Sequence, residues 1–400
     1  MVNKKIKQIL EKGVEDVIEK KHLEKLLSSG KKLRIKHGID PTGQNIHLGR
    51  AAQLWKLRDF QDLGHKIVLI IGDFTGQIGD PSDKPSGRKG LTKKQIEQNM
   101  AGYLEQISRI LDIKKAEVKY NSQWFNKLSL AEFLSIAKFF SVQQLVHRRN
   151  FQQRWKKEEP VSLQEICYPL LQGYDSVAIK ADVELGGTDQ LFNLKTGRDV
   201  QRMFGQEPQD IITLKMLDGL DGRKMSTSWG NVVNINDNPA EMYGKLMSMR
   251  DEMMEQYFDL CARLEEKELQ EIKKQLKDKK VNPKILKEKL AFRIVELYWG
   301  KEEAQRAQKE FEKVFKDKGV PAEIRTFFAP KKEYPIIDLL YFLELVPSKS
   351  EAKRLIEQGA VRAGGRKVNN FHKVVKVKEG LVIQVGKRKF ARLTLNDESK

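Results

Sequence analysis

Four stretches of this 400-residue sequence hold side chains whose types and spacing suit chemistry on a phosphorylated substrate. The first is GIDPTGQNIHLGR, Gly38 to Arg50, where a strand ends in a Pro/Gly turn and a helix begins near Ile46. A helix start carries unpaired N–H donors and partial positive charge, so His47 and Arg50 on its first turn face a common anion, and Gly49 allows close approach. The second is GDFTGQIGDPSDKPSGR, Gly72 to Arg88. Asp80 lies at its turn, and Lys84 and Arg88 follow among prolines and glycine as a cationic flap over a polyphosphate. Its glycines do not make GxGxxG, which weakens a nicotinamide or flavin reading. In the third, Ser162 and Glu165 form a capping box, and Tyr168, Gln172 and Asp175 then share one helix face with Pro169 inside the helix. GGTDQ, Gly186 to Gln190, turns a strand into a second helix start that bears Asp189 and Gln190. The fourth, DGRKMSTS, Asp221 to Ser228, adds Arg223 and Lys224. Three basic clusters converging on a triphosphate would stabilise a departing pyrophosphate.

These groups need a scaffold, and the sequence describes one. LRIKHGID, HKIVLIIGDF, ADVELGG and DIITLKML read as strands alternating with helical stretches, the pattern of a parallel sheet covered by helices. Leu48, Ala51, Ala52 and Trp55 make an apolar helical stripe that closes a βαβ unit between the first two strands. Residues 91–154 read mostly helical, as an insertion between two halves of the sheet. From 238 to 328 the strand signal vanishes, and Leu286, Leu290, Ile294 and Leu297 form a stripe after the Asn282-Pro283 start. Pro330 to Pro335 is a polar, proline-bounded joint before a small last unit. The expected architecture is α/β: a Rossmann-like parallel-sheet catalytic domain over 1–230, an all-helical domain over 231–330 and a small α+β domain over 335–400.

Composition bounds the rest. With 40% hydrophobic and 32% charged residues and no apolar run of membrane-spanning length, a soluble protein without a membrane partner is expected. The charged start, MVNKKIKQILEKG, lacks the apolar region of a secretory signal. Cys167 and Cys261 stand alone, which excludes a disulfide framework or a cysteine zinc site and fits a reducing cytoplasm; no metal ligands are expected. Lys and Arg outnumber Asp and Glu by 74 to 55, a field that attracts RNA, DNA or anionic lipid. Residues 331–400 concentrate it, with 16 basic against 8 acidic side chains.

HLGR and KMSTS resemble the HIGH and KMSKS signatures of class I aminoacyl-tRNA synthetases. Together with GIDPT, GDPSDK, YPLLQGYD and GGTDQ they look like the bacterial tyrosyl-tRNA synthetase family, and the resemblance runs through nearly all of the chain. SKSEAKRLIEQGAVRAGGRKV is similar to a small RNA-binding domain of a ribosomal small-subunit protein. The resemblance implies activation of L-tyrosine by ATP, with its Mg²⁺, to tyrosyl-adenylate and pyrophosphate, then transfer to the 3′ end of tRNA(Tyr). It implies that His47, Gly49 and Arg50 hold ATP, that Asp40, Thr42 and Gly187 border it and that Asp189 binds the ribose. Lys84, Arg88 and Lys224 would clamp pyrophosphate. Tyr168, Gln172 and Asp80 would hold the tyrosine ammonium group, Asp175 the phenol hydroxyl and Gln190 the carboxyl end, with Gly38 also lining the amino-acid slot. The helical domain would read the anticodon, and a homodimer would form through the insertion around residues 124–149.

Three positions depart from the family pattern. Arg50 replaces the second histidine of HIGH, and Thr227 replaces the second lysine of KMSKS. Lys36 stands where many tyrosyl enzymes carry a tyrosine that shares the phenol hydroxyl, so another group must partner Asp175. The competing readings are a tryptophanyl-tRNA synthetase, which shares the class signatures, and a non-catalytic RNA-binding paralogue.

Overall fold

The computed structural model describes residues 2–82, 90–146, 149–226, 229–278, 280–316, 324–386 and 389–395. They divide into two units, one of residues 1–238 and 245–298, the other of residues 239–244 and 299–400.

In the first unit, β1 (Val14–Ile18), β2 (Arg34–Ile39), β3 (Lys66–Ile71), β4 (Glu117–Tyr120), β5 (Val183–Gly187) and β6 (Asp210–Leu214) form one sheet in the order β1-β6-β5-β2-β3-β4. All neighbours are parallel except β1, which runs antiparallel to β6. Strands β3, β5 and β6 are almost entirely buried, as continuous apolar runs must be when helices cover both faces of a sheet. From β2 the chain moves outward through β3 to β4, then returns to place β5 on the other side of β2. The carboxyl ends of β2 and β5 therefore diverge at a topological switch point, where open α/β sheets form their ligand crevice.

Two strands were not legible in the sequence. β4 lies inside the stretch expected to be helical; its four residues, EVKY, hold only half-buried positions at the sheet edge, so no apolar period marks them. β1, VEDVI, is likewise an edge strand. The first crossover helix, Leu48–Asp62, buries Leu48, Ala51, Leu54, Leu57 and Phe60, so its core stripe is rotated from the expected one. Ala52 and Trp55 are only partly covered, and the Trp55 indole donates to the Tyr298 hydroxyl at 3.0 Å. Helix Pro283–Trp299 follows the expected start and buries Leu286, Leu290 and Ile294, but Val295 rather than Leu297 completes its face.

In the second unit, β7 (Thr326–Ala329), β8 (Glu333–Pro335), β9 (Val361–Ala363), β10 (Arg366–Lys367), β11 (Val374–Lys376), β12 (Leu381–Val385) and β13 (Lys389–Leu395) build sheets in the orders β10-β9-β12-β13-β7 and β11-β8. Helices Ile336–Phe342 and Lys349–Glu357 pack on a core that includes Leu339, Leu340, Ile356, Val361, Ile383 and Leu393. β7 precedes Pro330 yet pairs in parallel with β13 at the very end of the described chain.

Candidate active site

Two polar constellations lie where β2 and β5 end. The first surrounds Asp40, just beyond β2. Its carboxylate accepts from the Tyr168 hydroxyl at 2.8 Å and from Thr75 Oγ1 at 2.8 Å. Gly72 is required here, because a Cβ would overlap the Asp40 carboxylate and the Thr75 hydroxyl. Tyr168, Gln172 and Asp175 do share a face of helix Leu163–Ile179, which starts at the expected Ser162/Glu165 capping box. Burial and the neighbouring Asp40 carboxylate push the Tyr168 phenol upward, so it stays a neutral donor.

Further along the same face the network is continuous. Gln190 Nε2 donates to Asp80 at 2.6 Å, and Asn193 Nδ2 donates to Gln190 Oε1 at 3.0 Å and to Gln172 Oε1 at 2.9 Å. Gln172 Nε2 donates to Glu184 at 3.2 Å. At the deep end, Asp175 is 4% exposed and accepts from the Trp124 indole at 2.9 Å and from the Asn121 amide. Burial pushes its carboxyl up to about 7, opposed by the Lys36 charge and by these hydrogen bonds. Gly38 is exposed, and nothing approaches the place its Cβ would take, so open space adjoins this row. The result is a polar row with acceptors at one end and a buried carboxyl at the other, and with open space beside Gly38.

The second constellation joins a neutral histidine to the cations Arg50, Arg223 and Lys224. His47 is the N-cap of helix Leu48–Asp62, with Nδ1 accepting from the Arg50 amide at 3.4 Å. That leaves Nε2–H as the outward donor. Burial, with the Arg50 charge beside it, pushes the imidazole down to about 3, so it is neutral. A Cβ on Gly49 would meet the His47 ring at 3.2 Å and Met225 Sδ at 3.3 Å, so the HLGR turn and the DGRKMSTS loop touch through this glycine. The loop is drawn there because the segment after it pairs with the residues flanking His47: Leu48 N donates to Val233 O and Ile235 N to Ile46 O, both at 2.9 Å.

Within the loop, Asn231 bonds Asp221, the Lys224 carbonyl and the Ser226 amide, while Arg223 pairs with Asp221 at 2.7 Å and covers the Trp229 ring. Arg50 bonds Tyr103 at 2.6 Å and Thr42 at 2.7 Å. Gly187 caps the short turn Thr188–Gln190, and a Cβ there would meet Asp189 Oδ1 at 2.6 Å.

Placement differs from expectation in informative ways. Asp40, expected to border the nucleotide, is also bonded to Tyr168 and so joins that side to the row expected to hold the amino acid. Trp124, expected in a subunit contact, turns inward against Val68, Ile70, Ile179 and Ala181. Lys84, Arg88 and Thr227 lie outside the described residues. Sequence reasoning missed Thr75, Asn121, Trp124, Glu184 and Asn193. Only Glu184 had a signal: a glutamate in one apolar strand and a lysine, Lys36, in another must find partners, and the two are in register across β5 and β2.

This arrangement can be compared with known proteins. The family described as "tRNA synthetases class I (W and Y)" matches residues 28–316, and the tyrosine–tRNA ligase SYY-like C-terminal domain matches residues 310–393. The chain is 43% identical over 394 residues to the tyrosine–tRNA ligase of Thermotoga maritima, covering 98% of each. This chain belongs to the tyrosine–tRNA ligase family. It is thus an aminoacyl-tRNA synthetase of class I, a ligase. The family member from Moorella thermoacetica is 44% identical, with 96% of this chain and 95% of that one aligned. Among solved structures, tyrosyl-tRNA synthetase from Archaeoglobus fulgidus, complexed with L-tyrosine, has the same fold: TM-score 0.63, 22% identity, 77% of this chain and 99% of that one. A C-terminally truncated mitochondrial tyrosyl-tRNA synthetase from Aspergillus nidulans has a TM-score of 0.63 at 20% identity, covering 78% of this chain and 94% of that one.

Proposed function

We propose that this chain activates L-tyrosine with ATP and transfers it to tRNA(Tyr). The observation that carries the choice of amino acid is the buried Asp175 carboxyl closing a slot whose other end is bordered by Asp40, Tyr168 and Asp80. A phenol hydroxyl gives the buried Asp175 carboxyl a further partner beside Trp124 and Asn121, which phenylalanine cannot supply.

In the first step a tyrosine carboxylate oxygen attacks the α-phosphorus of ATP, the bond to the bridging oxygen breaks, and pyrophosphate leaves with its Mg²⁺ as part of the substrate. In the second, a ribose hydroxyl of the tRNA end takes the tyrosyl group and AMP leaves. No protein nucleophile is needed; the residues position reactants and stabilise charge. In this reading Tyr168, Asp80, Gln172 and Gln190 hold the amino acid with Gly38, while His47, Gly49, Arg50, Asp40, Thr42, Gly187 and Asp189 line the ATP side. Lys84, Arg88 and Lys224 receive pyrophosphate. The division of labour follows: activation by residues 1–230, anticodon reading by 231–330 and further RNA binding by 335–400. The basic surplus of the last segment supports an RNA partner.

Dimer formation is part of the proposal. Leu130, Leu134, Phe139 and Val142 of the insertion are all more than half exposed, a concentration of apolar surface that favours a second copy. Phe139→Lys is expected to halve the sedimenting mass; an unchanged mass would remove this face from the interface. Among the described residues no helix is long and apolar enough to cross a membrane.

Amino-acid-dependent pyrophosphate exchange tests the activity. Exchange with tyrosine and not with tryptophan or phenylalanine is expected. Exchange with tryptophan alone would replace the substrate, and binding of tRNA without exchange by any amino acid would indicate an RNA-binding paralogue.

A further inference from the structure

Lys36 and Glu184 occupy partner positions in the register of β2 and β5, and they are 0% and 1% exposed. The Lys36 ammonium spends all three donors: on the Gln172 carbonyl at 2.8 Å, on Ser176 Oγ at 2.7 Å and on Glu184 Oε1 at 2.8 Å. Glu184 in turn accepts from the Gln172 side chain at 3.2 Å, from Ser176 Oγ at 3.2 Å and from Gln209. Two of the three Lys36 contacts thus fall on helix Leu163–Ile179, one turn apart, and Asp175 lies between them in sequence. The same helix contains Pro169, whose ring nitrogen donates no hydrogen bond to the Glu165 carbonyl. The stretch beyond it gains its anchorage from the sheet instead.

A buried ion pair is a poor stabiliser, because the desolvation of both charges offsets their attraction, and apolar replacements of similar volume are often neutral or better. Stability therefore does not account for a lysine and a glutamate in the middle of apolar strands. What the pair does achieve is geometric: every group it binds, Gln209 apart, belongs to the turn that carries Gln172 and Asp175.

We infer that the Lys36–Glu184 pair is a positioning device for amino-acid selection, clamping the Gln172–Ser176 turn to the sheet so that Gln172 and Asp175 meet the substrate at fixed places. Lys36 has no N–H left for a substrate and acts only through these residues. The inference rests on tyrosine activation as the activity of the slot. It also answers the departure noted at Lys36: the position normally used to contact the phenol is used here to hold the residue that does.

The test is full-length Lys36→Met/Glu184→Met, assayed by pyrophosphate exchange beside the wild type. The melting temperature is expected to be retained, the tyrosine KM to rise roughly tenfold or more, the ATP KM to stay within about twofold, and discrimination against phenylalanine to fall by roughly tenfold. Ser176→Ala, which deletes one Lys36 contact, is expected to raise the tyrosine KM by about threefold. A folded double variant with wild-type tyrosine KM and discrimination overturns the inference. If the double variant does not fold, Ser176→Ala decides: an unchanged tyrosine KM overturns it. Wild-type protein that gives no exchange with tyrosine overturns the underlying activity instead.

Discussion

At Asp175, the proposed recognition of substrate and the stability of the fold pull in opposite directions. Burial raises its carboxyl from an ordinary 3.8 to about 7, so the folded state holds a proton that the unfolded chain has released. Stability therefore falls as pH rises between those two values, and the loss persists above them. Asp175→Asn keeps an acceptor for Trp124 but does not ionise. It is expected to melt higher than wild type at pH 8, by the equivalent of up to about 4 kcal/mol, and equally near pH 3, while losing tyrosine-dependent exchange. Melting curves with no pH-dependent gap would show that the carboxyl is not held protonated. His47 presents the reverse case: burial and Arg50 press its imidazole down to about 3, so in the proposed reaction it would meet ATP as a neutral Nε2–H donor. His47→Asn should lower adenylate formation by about 10² with a pH profile parallel to wild type. Loss of an inflection near neutrality would identify a charged imidazole.

The loop from Asp218 to Asn231 shows how an irregular element is given one shape. Gly219 lies so close to Asn231 that a Cβ would strike its side chain, and Asn231 then ties Asp221, Lys224 and Ser226 together. Asp221 is held well below the usual carboxylate range by Asn231 and Arg223, so it stays charged as an anchor. The same loop carries Lys224, whose contact in the proposed reaction would form as pyrophosphate leaves. Asn231→Ala is expected to slow adenylate formation by roughly tenfold with little change in the tyrosine KM. Transfer from preformed adenylate to tRNA should be spared, and rapid-quench measurement of the two steps separates them. Equal slowing of both would make Asn231 a general fold residue.

For the whole molecule, the pairing of β7 with β13 dictates where the chain is divided for experiment. A cut at the proline-bounded joint would strip β7 of its neighbour, so the informative truncation ends at residue 316. It is expected to retain pyrophosphate exchange but to charge tRNA with a weaker dependence of log KM on log salt, each lost phosphate contact lowering the slope by about 0.7 to 0.9. An unaltered slope would remove the C-terminal segment from tRNA binding.

The sequence by itself determined the chemistry and most of its framework. Apolar runs long enough to be buried on both faces specified β2, β3, β5 and β6, and 3.6-residue spacing put Tyr168, Gln172 and Asp175 on one face, because both signals are local. Edge strands β1 and β4 left no such period, since β4 holds only half-buried positions and β1 a single buried one, Val14. Partnerships were beyond reach for the same reason. That Trp124 turns onto Asp175, that Asp40 serves Tyr168, and that Lys36 and Glu184 are neighbours depends on strand order and register, which bring together residues 51, 128 and 148 positions apart. Only the tertiary structure fixes such distances, because packing, not spacing along the chain, selects which buried polar group satisfies which.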